Sequence, residues 1–357
     1  MSALRRGVEL SARDREILRD VVRSYILSGE PVSSRAVAKT AQLGVSAATI
    51  RNAMADLEEA GYLEQPHASA GRVPSTSGIH FYIDTLMAAE DLPAEEQRRI
   101  RGELGDASVG GKRLVETTTH LLSRLTGQIG VVVTPAFGDT VLEAVDFVPL
   151  SAGRVLCVIV SQAGFVEHKL VESDEPVSRE ELVRLSNFLT ENYRGQTLRS
   201  IRERLLARMR EERAEVDQLL GRAIVLATRG LASDAAPDLS FEGTSALLAR
   251  RELSDVDRVR RLLDTFSERQ RLVELLSQCL DGHGVRVVIG DESDVTSDLG
   301  LTLVARSYGA ENAARGTLGV LGPARMPYER VIPLVDFLGE ALSTALEQSA
   351  RGAGTPG

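Results

Sequence analysis

Between positions 46 and 52 the chain gathers Ser46, Thr49, Arg51 and Asn52, four side chains that can hydrogen-bond outward from two turns of a helix. Arg and Asn each present a pair of groups that match guanine or adenine edges in a major groove, and Ser and Thr present single ones. This is chemistry of recognition rather than of bond making. Base reading requires an outer helix face held in place by an inner one. Ile50, Met54 and Leu57 recur at helical spacing and supply that inner face. At about 100° per residue, Ala48, Arg51, Asn52 and Ala55 fall opposite, with Thr49 at the edge. Asp56, Glu58 and Glu59 come late, away from phosphate if the N-terminal turns enter the groove.

The flanks supply what such a helix needs. Ser33 and Ser34 are good caps for a short helix through Ala41, Gly44 makes the turn, and Ser46 opens the next helix. Beyond it, Gly61-Tyr62-Leu63-Glu64 reads as a strand, Pro66 through Gly71 as a hairpin tip, and Arg72-Val73-Pro74 as the return. Residues 1–77 are therefore expected to form a winged helix-turn-helix, with Ser46, Thr49, Arg51 and Asn52 on base edges. Ser34, Arg35 and Arg72 would grip phosphates. The wing would bring His67, Ser69 and Arg72 beside the phosphates or the minor groove, and Gly71 would allow close backbone approach. A buried helical subdomain that binds no DNA is the competing reading, and the wing argues against it.

Upstream, Ser11 and Asp14 form a capping box ahead of Ile17, Leu18, Val21, Val22 and Tyr25, a first helix ending before Gly29. Arg15, Arg19 and Arg23 line one side, facing either solvent or phosphate. Residues 78–110 read as a linker: a helix from Gly78 to Ala89, a break at Asp91-Leu92-Pro93, then a weak helix and a glycine-bearing flexible connector. Leu114 to Thr126 is an amphipathic helix. The period then changes to that of strands, at Ile129–Val133, Val141–Val148, Val155–Ser161 and Phe165–Val171, an antiparallel meander. Val285–Ile289, Leu301–Tyr308 and Gly316–Leu321 are later strands, and a closing helix runs from Tyr328 to Leu346. The fold class is thus α+β, with one mixed domain (111–175 and 266–348) whose antiparallel sheet is split by a mostly helical insert (176–265). Leu198, Ile201, Leu205, Met209, Val216, Leu219 and Ala223 keep a helical register in that insert. A second copy of the chain is the simplest cover for such a face, so the insert is expected to dimerise. Residues 349–357 are expected to be disordered.

Composition excludes several classes. The net charge of −9 argues against a general nucleic-acid coat. Residues 1–74, however, hold ten Lys or Arg against nine Asp or Glu, leaving 32 against 42 in the rest. A mildly basic head on an acidic body suits a specific binder that uses two heads. No run approaches the ~18 apolar residues of a membrane span, and the N-terminus lacks an apolar signal core, which points to the cytoplasm. Cys157 and Cys279 sit among apolar neighbours and read as buried thiols. His67, His80, His120, His168 and His283 are scattered, without metal spacing. Gly105 to Lys112 has the wrong spacing for a phosphate loop, and Asp291, Glu292 and Asp294 lack the Gly and distal Glu of a calcium loop. No nucleophile motif is present, so no enzyme, cofactor or metal is expected.

The run VSAATIRNAMADLEEAGYLEQPHASAGRVPS followed by FYID resembles the signature of the heat-inducible transcription repressor HrcA family over the whole chain length. The family pattern favours Thr at the position of Ala68, and an aromatic followed by Arg at Ile79-His80. The resemblance implies a winged-helix head, a GAF-like middle domain and an inserted dimerising segment. It further implies a homodimer on a CIRCE-type inverted repeat of double-stranded DNA, repression of chaperone operons, and the GroE chaperonin as a partner. A small-molecule-responsive regulator is the alternative, with a pocket imagined among Val131, Val158, Val287 and Val304.

Overall fold

The computed structural model describes residues 10–352 except 41–43, 89–90, 108–109, 151–152, 174–176, 212–224, 232–236, 245–268, 281–283, 294–295, 298–300 and 310–314. Expectations resting on Val216, Leu219, Ala223, His283 and Asp294 fall outside these residues.

The head begins with α1 (Ala12–Ser28), capped by Ser11, whose hydroxyl accepts from the Asp14 N–H, and closed by Gly29 in the left-handed region. α2 (Ser34–Thr40), α3 (Ala47–Glu59), and a two-residue ladder of β1 (Leu63–Glu64) and β2 (Val73–Pro74) follow. One small core joins Ile17, Leu18, Val21 and Val22 of α1 to Val37, Ile50, Met54, Leu57, Leu63 and Tyr82. The next helix starts earlier than Gly78: Ser75 caps α4 (Thr76–Phe81), which widens into a π-turn at Tyr82–Leu86. The linker also differs from expectation. α5 (Ala94–Asp106) is a docked helix, because Leu92, Ile100, Leu104 and Ala107 repeat on one side and are buried against the body.

Two sheets, not one split sheet, build the body. The first is five-stranded and antiparallel in the order β7-β3-β10-β9-β8, using β3 (Ile129–Val133), β7 (Leu239–Glu242), β8 (Val285–Ile289), β9 (Leu301–Tyr308) and β10 (Gly316–Pro323). α6 (Gly111–Thr126) and the final helix α10 (Tyr328–Gly352) cover one face, where Leu121, Leu122, Val304, Leu318, Leu334 and Leu338 meet. α9 (Arg269–Ser277) covers the other through Leu272, Leu275 and Leu276 against Val131, Leu303 and Leu321. This sheet is therefore joined across a sequence gap, as the strand pattern suggested. α10 runs past 349, so the tail expected to be disordered is helical up to Gly352.

The expected four-strand meander is a three-strand one. β4 (Leu142–Pro149), β5 (Arg154–Ser161) and β6 (Val166–Glu172) form a separate antiparallel sheet, while β3 stays in the first. α7 (Arg179–Tyr193), with a reciprocal capping box between Ser178 and Glu181, and α8 (Leu198–Glu211) pack on its inner face. Val145, Phe147, Cys157 and Ile159 meet Leu182, Leu185, Leu189, Leu198, Ile201 and Leu205 there. A division at residues 175/176 would pass through this single core. The four valines imagined as a pocket do not converge, because Val131 and Val304 face opposite sides of the first sheet and Val158 lies in the second.

Head and body meet at one carboxylate. Glu329, in the first turn of α10, accepts from Arg23 Nε at 2.9 Å, Arg23 Nη2 at 2.7 Å and the Tyr82 hydroxyl at 2.5 Å. His80 Nε2 lies 2.9 Å from a carboxylate oxygen of Glu292 nearby. Arg23 is thus committed to this junction rather than to an arginine stripe. Partial burial pushes the Glu329 carboxyl up, but Tyr82 and Arg23 pull it down more strongly, to a net position below its ordinary 4.5. A lowered carboxyl pKa contributes stability that is present above the unfolded-state value and is lost as pH falls through the folded one. Thermal unfolding of wild type and Glu329→Gln, followed from about pH 7 to about pH 3.5, is expected to show a lower Tm for the variant at neutral pH and a gap that closes on the acid side. A gap independent of pH would show that the carboxylate charge does not hold the junction.

Candidate nucleic-acid interface

The recognition face follows from how α3 is anchored. The chain leaves α2, turns at Gly44 (φ +62°), and starts α3 at Ser46, whose hydroxyl accepts from the Thr49 N–H at 3.2 Å. Ser46 and Thr49 hydroxyls also lie 3.0 Å apart. Ser46 is therefore first a helix cap, a role that typically stabilises by ~1 kcal/mol, and its oxygen is already engaged. Ile50, Ala53, Met54 and Leu57 are buried, so the 3.6-residue period leaves Ala48, Arg51, Asn52, Ala55 and Asp56 exposed. Thr49 is half-buried at the edge. Arg51 and Asn52 have no hydrogen-bond or ion-pair partner among the described residues, which leaves their forks free for another molecule.

On α2 the two adjacent serines divide their tasks. Ser33 accepts from the Ala36 N–H at 3.2 Å and caps the helix, while Ser34 is turned inward and only 8% exposed. Ser34 therefore shows little surface, at the wall of the cavity beside Arg51 and Arg72, and Ser33 and Arg35 hold the outward positions. The reason is that Ser34 and Val37 lie one turn apart on the inner face of α2.

The hairpin after α3 has an exposed tip at His67, Ala68 and Ser69. Gln65 tightens it by donating through Nε2 to the carbonyls of Ala68 (3.0 Å) and Ala70 (3.1 Å). Its base is held by a further bridge: Arg72 and Val32 exchange both backbone hydrogen bonds, at 2.9 and 2.8 Å. Gly71 serves this bridge. A Cβ there would sit 2.3 Å from the Val32 carbonyl oxygen, so the close backbone approach is to the protein's own chain. Arg72 is not free either, because its Nη2 lies 2.7 Å from Glu58 Oε2 on α3. Its expected grip on phosphate is thus replaced, in this structure, by an ion pair. Spacing alone does not single out Glu58 or Gln65 for these contacts, whereas Ser33 occupies the capping place expected of it. A serine three residues before a helical N–H is an ordinary cap, which is why Ser33 is readable and the other two are not.

Electrostatically, Arg35, Lys39 and Arg51 are exposed, while of the late acids of α3 Asp56 and Glu59 are exposed and Glu58 is paired with Arg72. Among the described residues no cluster of His, Cys, Asp or Glu is arranged to hold a metal. Burial pushes the Cys157 thiol up to about 12 and Cys279 upward as well, so neither is a thiolate nucleophile at neutral pH. No helix among the described residues is long and apolar enough to cross a membrane.

Comparison with known proteins places these features in a lineage. The family model described as "HrcA protein C terminal domain" matches residues 112–332. Heat-inducible transcription repressor HrcA of Geobacter sulfurreducens is 40% identical over 95% of this chain and 99% of that protein. The protein of the same name from Syntrophobacter fumaroxidans is 38% identical over 95% of this chain and 98% of that one, and the one from Xylella fastidiosa is 37% identical over 95% and 96%. A crystal structure described as that of a hypothetical protein, 24% identical, superposes with a TM-score of 0.59 over 96% of this chain and all of that one, a likeness of fold. These relatives carry the name of transcription repressors and not of enzymes, at an identity and coverage that leave one conclusion: the chain belongs to the heat-inducible transcription repressor HrcA family.

Proposed function

We propose that this protein represses transcription of heat-shock operons by binding, as a homodimer, an inverted-repeat operator of the CIRCE type. The observation that carries the reading is the free outer face of α3, with Arg51 and Asn52 exposed beside a braced hairpin. In this reading residues 1–77 act as a winged helix-turn-helix. Arg51 and Asn52 read base edges, Thr49 assists from the edge, and Ser46 sets the start of the helix. Arg35, His67 and Ser69 lie on the rim where phosphates would pass. The first sheet with α6 and α10 is the GAF-like domain, here acting as a rigid platform for the head.

The dimer contact, expected on the inserted helices, is placed instead on the outer face of the second sheet, because Leu198, Ile201 and Leu205 of the insert are already covered by its inner face. Val148, Leu156 and Leu170 form one cross-strand row, and Val160 and Val166 another. Val166 is 62% exposed and Leu170 49%, and between the two rows Asp146, Val158 and His168 form a third that is polar at both edges. A two-fold contact is self-complementary, so one such patch suffices for both protomers. Family resemblance adds the GroE chaperonin as the partner that keeps the repressor active, with heat relieving repression when unfolded clients occupy it. A ligand-sensing role for the middle domain has less support, because its sheet is packed on both faces.

Equilibrium gel shifts against an intact inverted repeat, a single half-site and a scrambled duplex, at one fixed salt, test the operator reading. Tight binding to the intact repeat alone is expected, with Asn52→Ala losing ~1–3 kcal/mol of discrimination. Arg35→Ala should instead weaken all duplexes alike and lower the salt slope by about one. Equal weak binding to all three duplexes by the wild type would overturn the reading. Independently, Leu170→Asp is expected to convert the dimer to a monomer by light scattering and to abolish the advantage of the full repeat over the half-site. A dimer that survives the substitution would move the contact elsewhere.

A further inference from the structure

We propose that Glu58 is a positioning residue for operator binding: its carboxylate holds Arg72 and thereby sets the hairpin against α3, and Arg72 itself makes no phosphate contact. The inference rests on the operator reading above and adds to it the device that fixes the two reading elements relative to each other.

The hairpin needs such a device. Its own ladder has only two residue pairs, Leu63 with Pro74 and Glu64 with Val73. A cavity of about 380 Å³ lies beneath it, lined by Arg51, Gln65, Ser69, Gly71 and Arg72. An isolated hairpin of this size is marginal in water, and nothing in its ladder prevents it from tipping into or away from that space. On the return strand, the Val32–Arg72 backbone bridge, the close approach at Gly71 and the Arg72–Glu58 pair oppose the motion. The first two hold the hairpin to the segment before α2. Strand β1 is already anchored on α3, since Leu63 is buried with Met54 and Leu57; the third contact ties the return strand to the recognition helix.

The pair is built more like an internal brace than a surface contact. The Arg72 side chain is 19% exposed and its Nε is buried. A guanidinium withdrawn from water in this way keeps its charge near a fixed partner, and removing the partner leaves it uncompensated. Glu58 lies one turn after Met54 on the flank of α3 that turns toward the cavity, so its reach to Arg72 follows from helical geometry.

Simple charge counting predicts the opposite consequence. Glu58 is an anion on a DNA-binding head, so neutralising it should strengthen binding and steepen the dependence on salt. Positioning predicts weaker binding with an unchanged slope, because Arg72 releases no counterion.

The experiment uses the full-length protein and the variants Glu58→Gln, Glu58→Asp, Arg72→Ala and the double variant Glu58→Gln/Arg72→Ala. Operator affinity at several salt concentrations is measured alongside hydrogen exchange of the Val32 and Arg72 amides without DNA. The expected result is about a fivefold to tenfold loss for each single variant, with the double variant no weaker than either, the signature of coupled residues. Glu58→Asp, which keeps the charge and shortens the reach, should weaken binding too, and the two amides should exchange faster in all four variants. Unchanged exchange of those amides at normal α1 protection overturns the proposal, as does tighter binding by Glu58→Gln with a steeper slope. If the wild type shows no preference for the repeat, the operator reading fails separately, and the exchange of the two amides still decides the brace.

Discussion

The structure of the head depends on one constraint, the division of α3 into a face that must be buried and a face that must not. Four side chains, Ile50, Ala53, Met54 and Leu57, anchor the helix to α1 and α2. Burying a side chain the size of Ile, Met or Leu is worth roughly 1.5–3 kcal/mol, so the three large ones together dominate the local energetics. The opposite face contributes nothing comparable. Small residues at Ala48 and Ala55 flank Arg51 and Asn52, so a partner surface can approach the helix closely without displacing bulk. The residues that stabilise this thirteen-residue helix are thereby distinct from those of the outer face proposed to read DNA.

Much of this was legible because it is local. Ser11, Gly29, Gly44 and Ser46 mark helix ends through cap chemistry that depends on neighbours a few positions away, and all four occupy the expected places. The strands at Ile129–Val133, Val285–Ile289 and Leu301–Tyr308 coincide with the β-branched runs. What spacing cannot carry is partnership. Arg23 and Glu329 are separated by 306 positions, and neither has a local feature that points to the other. Arg72 and Glu58 are closer, yet a basic residue on a hairpin and an acid on a helix are each ordinary as solvated charges. Nothing local marks Glu58 as the partner of Arg72, so the basic residue by itself points to DNA.

The assignment of strands to two sheets is likewise not local. β3 is buried on both faces, as a continuous apolar run suggests, whereas β5 alternates between buried and half-buried positions. The alternation was disguised because the outer positions of β5, Leu156, Val158 and Val160, are as apolar as the inner ones. Both therefore resembled central strands of one sheet. An apolar residue on an outer face is costly to leave in water, and here the disguise is itself informative. Composition chose hydrophobic side chains where packing within the chain does not require them, which is the pattern an interface between copies would impose.

These observations connect head and body. An operator with two half-sites is read well only if two heads present their helices at a fixed separation. A flexible connector between residues 78 and 110 would spread that separation over many values, and the cost of ordering it would be subtracted from binding. Instead α5 is docked through Ile100 and Leu104, Arg330 pairs with Glu96, and one oxygen of Glu329 gathers three donors from the head. The carboxylate also stands in the first turn of α10, where the helix dipole favours a negative charge. If two bodies meet through their second sheets, the heads are carried as extensions of those bodies rather than as tethered modules. Half-site spacing is then a property of the whole dimer, and any influence that releases Glu329 from Arg23 and Tyr82 weakens operator binding without touching a residue that faces DNA.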